Sequence, residues 1–165
     1  MIGVRGRLLC AAIALTVVSG VVAKAEEPFK IGGVAELSGR YVAFGAQVKK
    51  GIETAVEVWK SNRGNKVAGR DIDIILRDVQ SNNTVTVSVM NELMQAEKAG
   101  VLIGPGGSNI GAAAVPPWRQ YDKRPVWIVP GVSTTVVEKE VGKDSHFFHT
   151  FAWTYHYHST NAAAL

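Results

Sequence analysis

The chain is 165 residues long, with 18 Lys and Arg against 14 Asp and Glu and a single cysteine. Three of the basic residues, Arg5, Arg7 and Lys24, lie among the first 25 positions, which hold no acid, so the remainder is close to neutral and lacks the basic face that nucleic acid or an anionic membrane surface requires. Cys10 falls in the same leading segment, which excludes disulfides, thiolate metal sites and a cysteine nucleophile from everything that follows.

Met1–Ala25 reads as a cleavable export signal. Arg5 and Arg7 form a positive n-region, Leu8 to Val22 is an apolar run, and Ala23-Lys24-Ala25 fits small-x-small cleavage before Glu26. The run falls short of the about 20 residues of a membrane span. Cys10 lies inside it rather than at a mature start, so a lipid anchor is not expected.

Strands and helices then alternate. Phe29 to Ala35 is an apolar strand, and Glu36 to Ala43 a loop. Phe44, Val48, Ile52, Ala55, Val56 and Trp59 recur at three- and four-residue steps, which predicts a helix from Phe44 to Asn62. A polar turn to Gly69 leads into a strand over Asp71 to Asp78. Asn82 or Asn83 is placed to cap a helix with a buried stripe of Val85, Val89, Leu93 and Ala96, ended by Gly100. Val101 to Gly104 is the third strand, Gly111 to Tyr121 a short helix interrupted at Pro116-Pro117, and Pro125 to Val129 the fourth strand. His146 to Ala152 reads as a strand crossing towards a second lobe, and Thr160 to Leu165 as the start of a helix. This order implies an α/β fold, a three-layer, Rossmann-like parallel sheet with right-handed crossovers.

In such a sheet ligands bind outside the carboxyl ends of the strands. Two of those ends are rich in small and hydroxyl residues. In Val101–Gly111, VLIGPGGSNIG, a strand runs through a glycine turn into a helix. Its backbone N–H groups and helix dipole suit an anion, with the Ser108 hydroxyl beside them. A turn that uses glycine for geometry alone is the competing reading. No Lys follows the glycines as a P-loop needs, and the run is not at the first strand as a dinucleotide fingerprint needs. Pro130-Gly131-Val132-Ser133-Thr134-Thr135 is the second such end, competing with a plain solvated turn.

Catalysis is not expected. There is no Gly-x-Ser-x-Gly elbow and no convincing pair of carboxylates, and Glu36 reads as a solvated loop residue, with Asp78 bracing its own loop. His146, His149, His156 and His158 could in principle gather a metal, but no acid lies between Asp144 and Leu165 to complete the site. An aromatic-rich segment lining a cleft is the preferred reading, with neither metal nor cofactor.

The chain resembles the first lobe of a type I periplasmic solute-binding protein of the branched-chain amino acid and amide class. The resemblance rests on a series: Ile31-Gly32-Gly33-Val34-Ala35-Glu36-Leu37-Ser38-Gly39, Phe44-Gly45, Gly51, Arg77-Asp78, Gln80-Ser81, Ile103-Gly104-Pro105 and Pro130-Gly131. It covers residues 28–165. It implies that Ser108 holds a ligand carboxylate, that Ser133 supports it, that the Gly131 carbonyl accepts from a ligand amine, and that Phe44 covers the ligand side chain. Gly107, Asn109 and Thr134 complete the implied site. The family often has a run of serines or threonines where this chain has Gly106-Gly107-Ser108-Asn109.

The resemblance also implies a monomeric, periplasmic component of an ABC importer, partnered by a membrane permease and binding a small carboxylate-bearing solute. The expected organisation is a signal over residues 1–25, a first lobe over 26–150, and a hinge crossover with the start of a second lobe over 151–165. The whole reads as a fragment of a two-lobed protein. A ligand-sensing receptor on the same fold and a non-functional remnant are the alternatives.

Overall fold

A computed structural model describes residues 26–156. The expected signal over 1–25, His158 and the expected helix over Thr160 to Leu165 lie outside those residues. The elements are β1 (Phe29–Ala35), α1 (Val42–Arg63), β2 (Lys66–Val67), β3 (Arg70–Asp78), α2 (Asn83–Asn91), β4 (Val101–Ile103), α3 (Ser108–Gln120), β5 (Val126–Val129), α4 (Thr135–Val141) and β6 (Phe147–His149). They form one six-stranded sheet in the order β2-β3-β1-β4-β5-β6. All pairings are parallel except the hairpin of β2 with β3.

Alternation along the central strands sends side chains to two unequal cores. Val34, Ile75, Leu102, Trp127 and Val129 meet Met90, Leu93, Ile110, Ala114, Trp118 and Val137 from the helices α2 to α4. The Trp118 and Trp127 rings sit 5.4 Å apart, and each indole N–H has a carbonyl acceptor, on Pro125 and Gly104 respectively. Burying side chains of this size stabilises the fold by roughly 1.5–3 kcal/mol each. Beneath α1 the second cluster is small, with Ala35, Val48 and Ile52 packed by Leu37, Ile74, Leu76 and Ile103.

Several local expectations are corrected. The polar turn after α1 contains a short strand, β2, too brief to leave a periodicity. Asn82 is the cap of α2, its Oδ1 accepting from the N–H groups of Thr84 and Val85. The stripe of that helix is Thr86, Val89, Met90, Leu93 and Met94, while Ala96 is exposed, because Glu92–Ala96 widens into a π turn that rotates the buried face. Lys98 at φ 56°, not Gly100, takes the left-handed position after this helix, and the Ala99 N–H returns to the Leu93 carbonyl. Helix α3 starts earlier than expected, at Ser108, and runs unbroken through Pro116 and Pro117. Buried Val115, Pro117 and Trp118 hold it there despite the missing donors. Helix α4 is an addition, capped by Thr134 Oγ1. The strand expected over His146 to Ala152 is confined to Phe147–His149 and is the edge strand of this sheet, parallel to β5.

Candidate functional site

The parallel pairing brings the loops after β1, β4 and β5 to one edge of the sheet. Between them and the exposed side of α1 lies a cleft of about 740 Å³. Phe44, Gln47, Val48, Gly51, Ile52 and Ala55 of α1, with Tyr41 just before it, form one wall. Ile103, Gly106, Gly107 and Ser108 form the floor, and Pro130, Gly131, Ser133 and Phe151 the far side. Phe44 is 52% exposed and Phe151 46%, so both rings stand at the mouth.

The two serines singled out from the sequence meet here. Ser108 Oγ accepts from the Ser133 N–H at 3.2 Å and lies 3.4 Å from Ser133 Oγ. That N–H is therefore engaged within the protein, and the pair offers its hydroxyls to a ligand. Gly131 sits where a Cβ would come within 2.7 Å of the Gly106 carbonyl oxygen, so any side chain there would push the two loops apart. Gly107, Gly131 and Phe44 line the cleft with the serines, whereas Asn109 and Thr134 do not. Asn109 points to solvent, and the Thr134 hydroxyl is spent on the α4 cap. Thr154 locks the far loop by donating from both N–H and Oγ1 to the Ser133 carbonyl.

Glu36 overturns the sequence reading. It is completely buried, and its carboxylate accepts from the Gly107 N–H at 2.7 Å and the Gly106 N–H at 3.1 Å. Two amides of the glycine turn, just before the first turn of α3, are thus taken by the chain's own acid. A lone loop glutamate carries no local pattern that reveals such a partner seventy residues on. The available signal was its place, immediately after a buried strand and facing a glycine turn that has no lysine.

The β1–α1 loop that carries Tyr41 and Phe44 is held by the loop after β3. Asp78 Oδ1 accepts from the N–H groups of Leu37, Ser38 and Gln80, and Oδ2 from the Ser38 hydroxyl. Ser81 Oγ donates to the Ser38 carbonyl and accepts from the Tyr41 N–H. Partial burial pushes the Asp78 carboxyl up, but the Ser38 hydroxyl and the three N–H groups outweigh this and hold it below its ordinary value. A depressed native value means that the contribution is complete above the unfolded value and is lost as pH falls through the native one. The chain should accordingly lose stability in acid below about pH 4. Asp78→Asn should lower Tm at pH 7 by several degrees and flatten that acid slope; identical pH–Tm curves for parent and variant would refute this brace.

The described histidines, His146, His149 and His156, do not converge on one site. His149 stacks on Trp153 at 3.6 Å with Nε2 against the Val132 carbonyl. His146 lies beside Asp144, and His156 Nδ1 accepts from the Trp153 N–H. Among the described residues no group of three or more His, Cys, Asp or Glu side chains is placed to hold a metal ion. Among them, too, no helix is long and apolar enough to cross a membrane.

Known proteins share this fold. The branched-chain amino acid transporter substrate binding protein LivJ from Streptococcus pneumoniae, solved with isoleucine, superposes with a TM-score of 0.68 at 26% identity over 77% of this chain and 34% of that one. A solute binding protein of an ABC transporter from R. palustris, solved with benzoate, gives 0.63 at 27% identity over 76% and 33%. A Leu/Ile/Val-binding protein homolog of Brucella melitensis is 34% identical over 86 residues, 52% of this chain and 23% of that protein. The chain thus spans about a quarter to a third of the length of these relatives. Residues 28–165 match the periplasmic binding protein profile over the whole of the sheet and its helices, and the chain belongs to that family.

Proposed function

We propose that this chain forms the first ligand-binding lobe of the extracytoplasmic solute-binding component of an ABC importer. The observation that carries the reading is the meeting of Ser108 and Ser133 at the floor of a largely apolar cleft. A small solute would place a carboxylate on the two hydroxyls and its apolar body against Phe44, Tyr41 and Ile103. Such a division, a few polar groups fixing orientation in an apolar cavity, is what small-molecule sites require. Closure of a second lobe over the cleft would complete binding, and a membrane permease would receive the closed form. The relatives' ligands, isoleucine and benzoate, are both small carboxylates, which supports a carboxylate-bearing solute.

The test is calorimetric titration of the exported protein with leucine, isoleucine, valine, benzoate and 4-hydroxybenzoate. Saturable binding of at least one is expected, and binding of none would sink the proposal. Export has its own readout. N-terminal sequencing of periplasmic material should begin at Glu26, and a cytoplasmic product that retains residues 1–25 would refute the signal.

A further inference from the structure

The seat for an anion at the start of α3 is already filled. Both Glu36 oxygens accept backbone N–H bonds from Gly106 and Gly107, and the side chain is wholly out of solvent. The turn is shaped around it: a Cβ on Gly107 would lie 2.9 Å from Glu36 Oε1 and 3.2 Å from the Tyr41 ring. No Lys, Arg or His pairs with this carboxylate among the described residues. The residues lining the cleft include no Asp, Glu, Lys, Arg or His either. The Glu36 carboxylate therefore stands directly behind the floor, on the backbone of Gly106 and Gly107, which line the cleft.

We propose that Glu36 is an internal anion that closes the α3 amide pair to ligands and sets the specificity of the cleft, favouring solutes with a cationic group beside their carboxylate over simple carboxylates. The inference rests on the solute-binding reading above and refines it. The positive end of a helix attracts one anion; once that anion is built into the protein, a second one gains little from the dipole and is repelled by the first. A ligand ammonium near the same floor is attracted instead. The Ser108 and Ser133 hydroxyls, which are uncharged, can still hold the carboxylate of a zwitterion.

Leucine and 4-methylpentanoate, the same skeleton without the amine, separate the two cases. The exported protein should bind leucine at least about tenfold more tightly, and Glu36→Gln, which removes the charge at nearly the same volume and turns one amide nitrogen towards a glycine N–H, should bring the two within about threefold, with its Tm recorded alongside. A ratio unchanged in Glu36→Gln overturns the proposal, as does a parent that prefers 4-methylpentanoate. A parent that binds neither overturns this refinement; the solute-binding reading falls with it only if isoleucine, valine, benzoate and 4-hydroxybenzoate are also not bound, which distinguishes the two failures. Glu36→Ala supplies a readout without solute. Formate should enter the vacated seat and raise its Tm by several degrees over equal chloride, leaving the parent unmoved. A variant that folds only in formate is the same result in stronger form, and formate no better than chloride overturns the internal-anion role.

Discussion

Gly45→Ala should destabilise the fold by more than about 3 kcal/mol, although alanine is the better helix former by about 1 kcal/mol. Gly45 lies in the first turn of α1, where the helix crosses the end of β1 with no space for a side chain. A Cβ there would sit 2.1 Å from the Glu36 carbonyl oxygen, 2.4 Å from its carbon and 2.7 Å from its nitrogen. These are backbone atoms of a buried strand end and cannot rotate aside. The helix must move outward, lifting Val48 and Ile52 from the small cluster beneath it and dragging on the residue whose carboxylate is lodged between Gly106 and Gly107. Overpacking of a core commonly costs about 1–3 kcal/mol, and a backbone clash of this depth should exceed about 3 kcal/mol. Against a total of about 5–15 kcal/mol that is a large share. Gly51→Ala is the contrast. It lies two turns further along the same helix with nothing within 4 Å of its would-be Cβ. It should raise stability by about 0.5–1 kcal/mol through the unfolded chain. Chemical denaturation of the two variants checks both signs, and a Gly45→Ala protein as stable as the parent would refute the close crossing.

What the sequence disclosed and what it concealed divide by the range of the interaction. β1, α1, β3 and the Asn82 cap were legible because each is set by residues within a few positions of one another, through periodicity or a side chain reaching the next turn. The same holds for the parallel order of the sheet, which alternation alone implies. The π turn over Glu92–Ala96 and the unbroken passage of α3 through Pro116-Pro117 were not legible, since local rules oppose both and tertiary packing overrides them. The site was half legible. Ser108 and Ser133 could be paired because both follow strands that end on one edge. Glu36 could not, since its partners are backbone amides seventy residues away, and a main-chain donor leaves no side-chain signature of the pairing. Its burial turns an apparent seat for the ligand's anion into part of the wall.

Ser108→Ala should weaken solute binding about ten- to a hundredfold while leaving the fold in place. With the Gly106 and Gly107 amides spent on Glu36, the hydroxyls of Ser108 and Ser133 are the side-chain donors that meet at the floor. A hydrogen bond to a charged group contributes about 1.5–3 kcal/mol, which converts to that range of affinity. The substitution also removes the acceptor of the Ser133 N–H, so Ser133 loses its orientation and part of its own contribution. Structural cost is limited because Ser108 is only partly buried and begins α3 without serving as its cap, which is Gly107. Ser133→Ala should be milder, since its N–H still reaches Ser108 Oγ and holds the loop. Phe44→Ala, at the mouth of the cleft and 52% exposed, should instead change the ranking among solutes of different apolar bodies, because the ring supplies cover and not charge. Calorimetric titration of the three variants against leucine, valine and benzoate, with Tm measured alongside, separates these roles. Unaltered affinity of Ser108→Ala for every solute the parent binds would remove the polar anchor from α3 and leave the glycine turn as the housing of Glu36 alone.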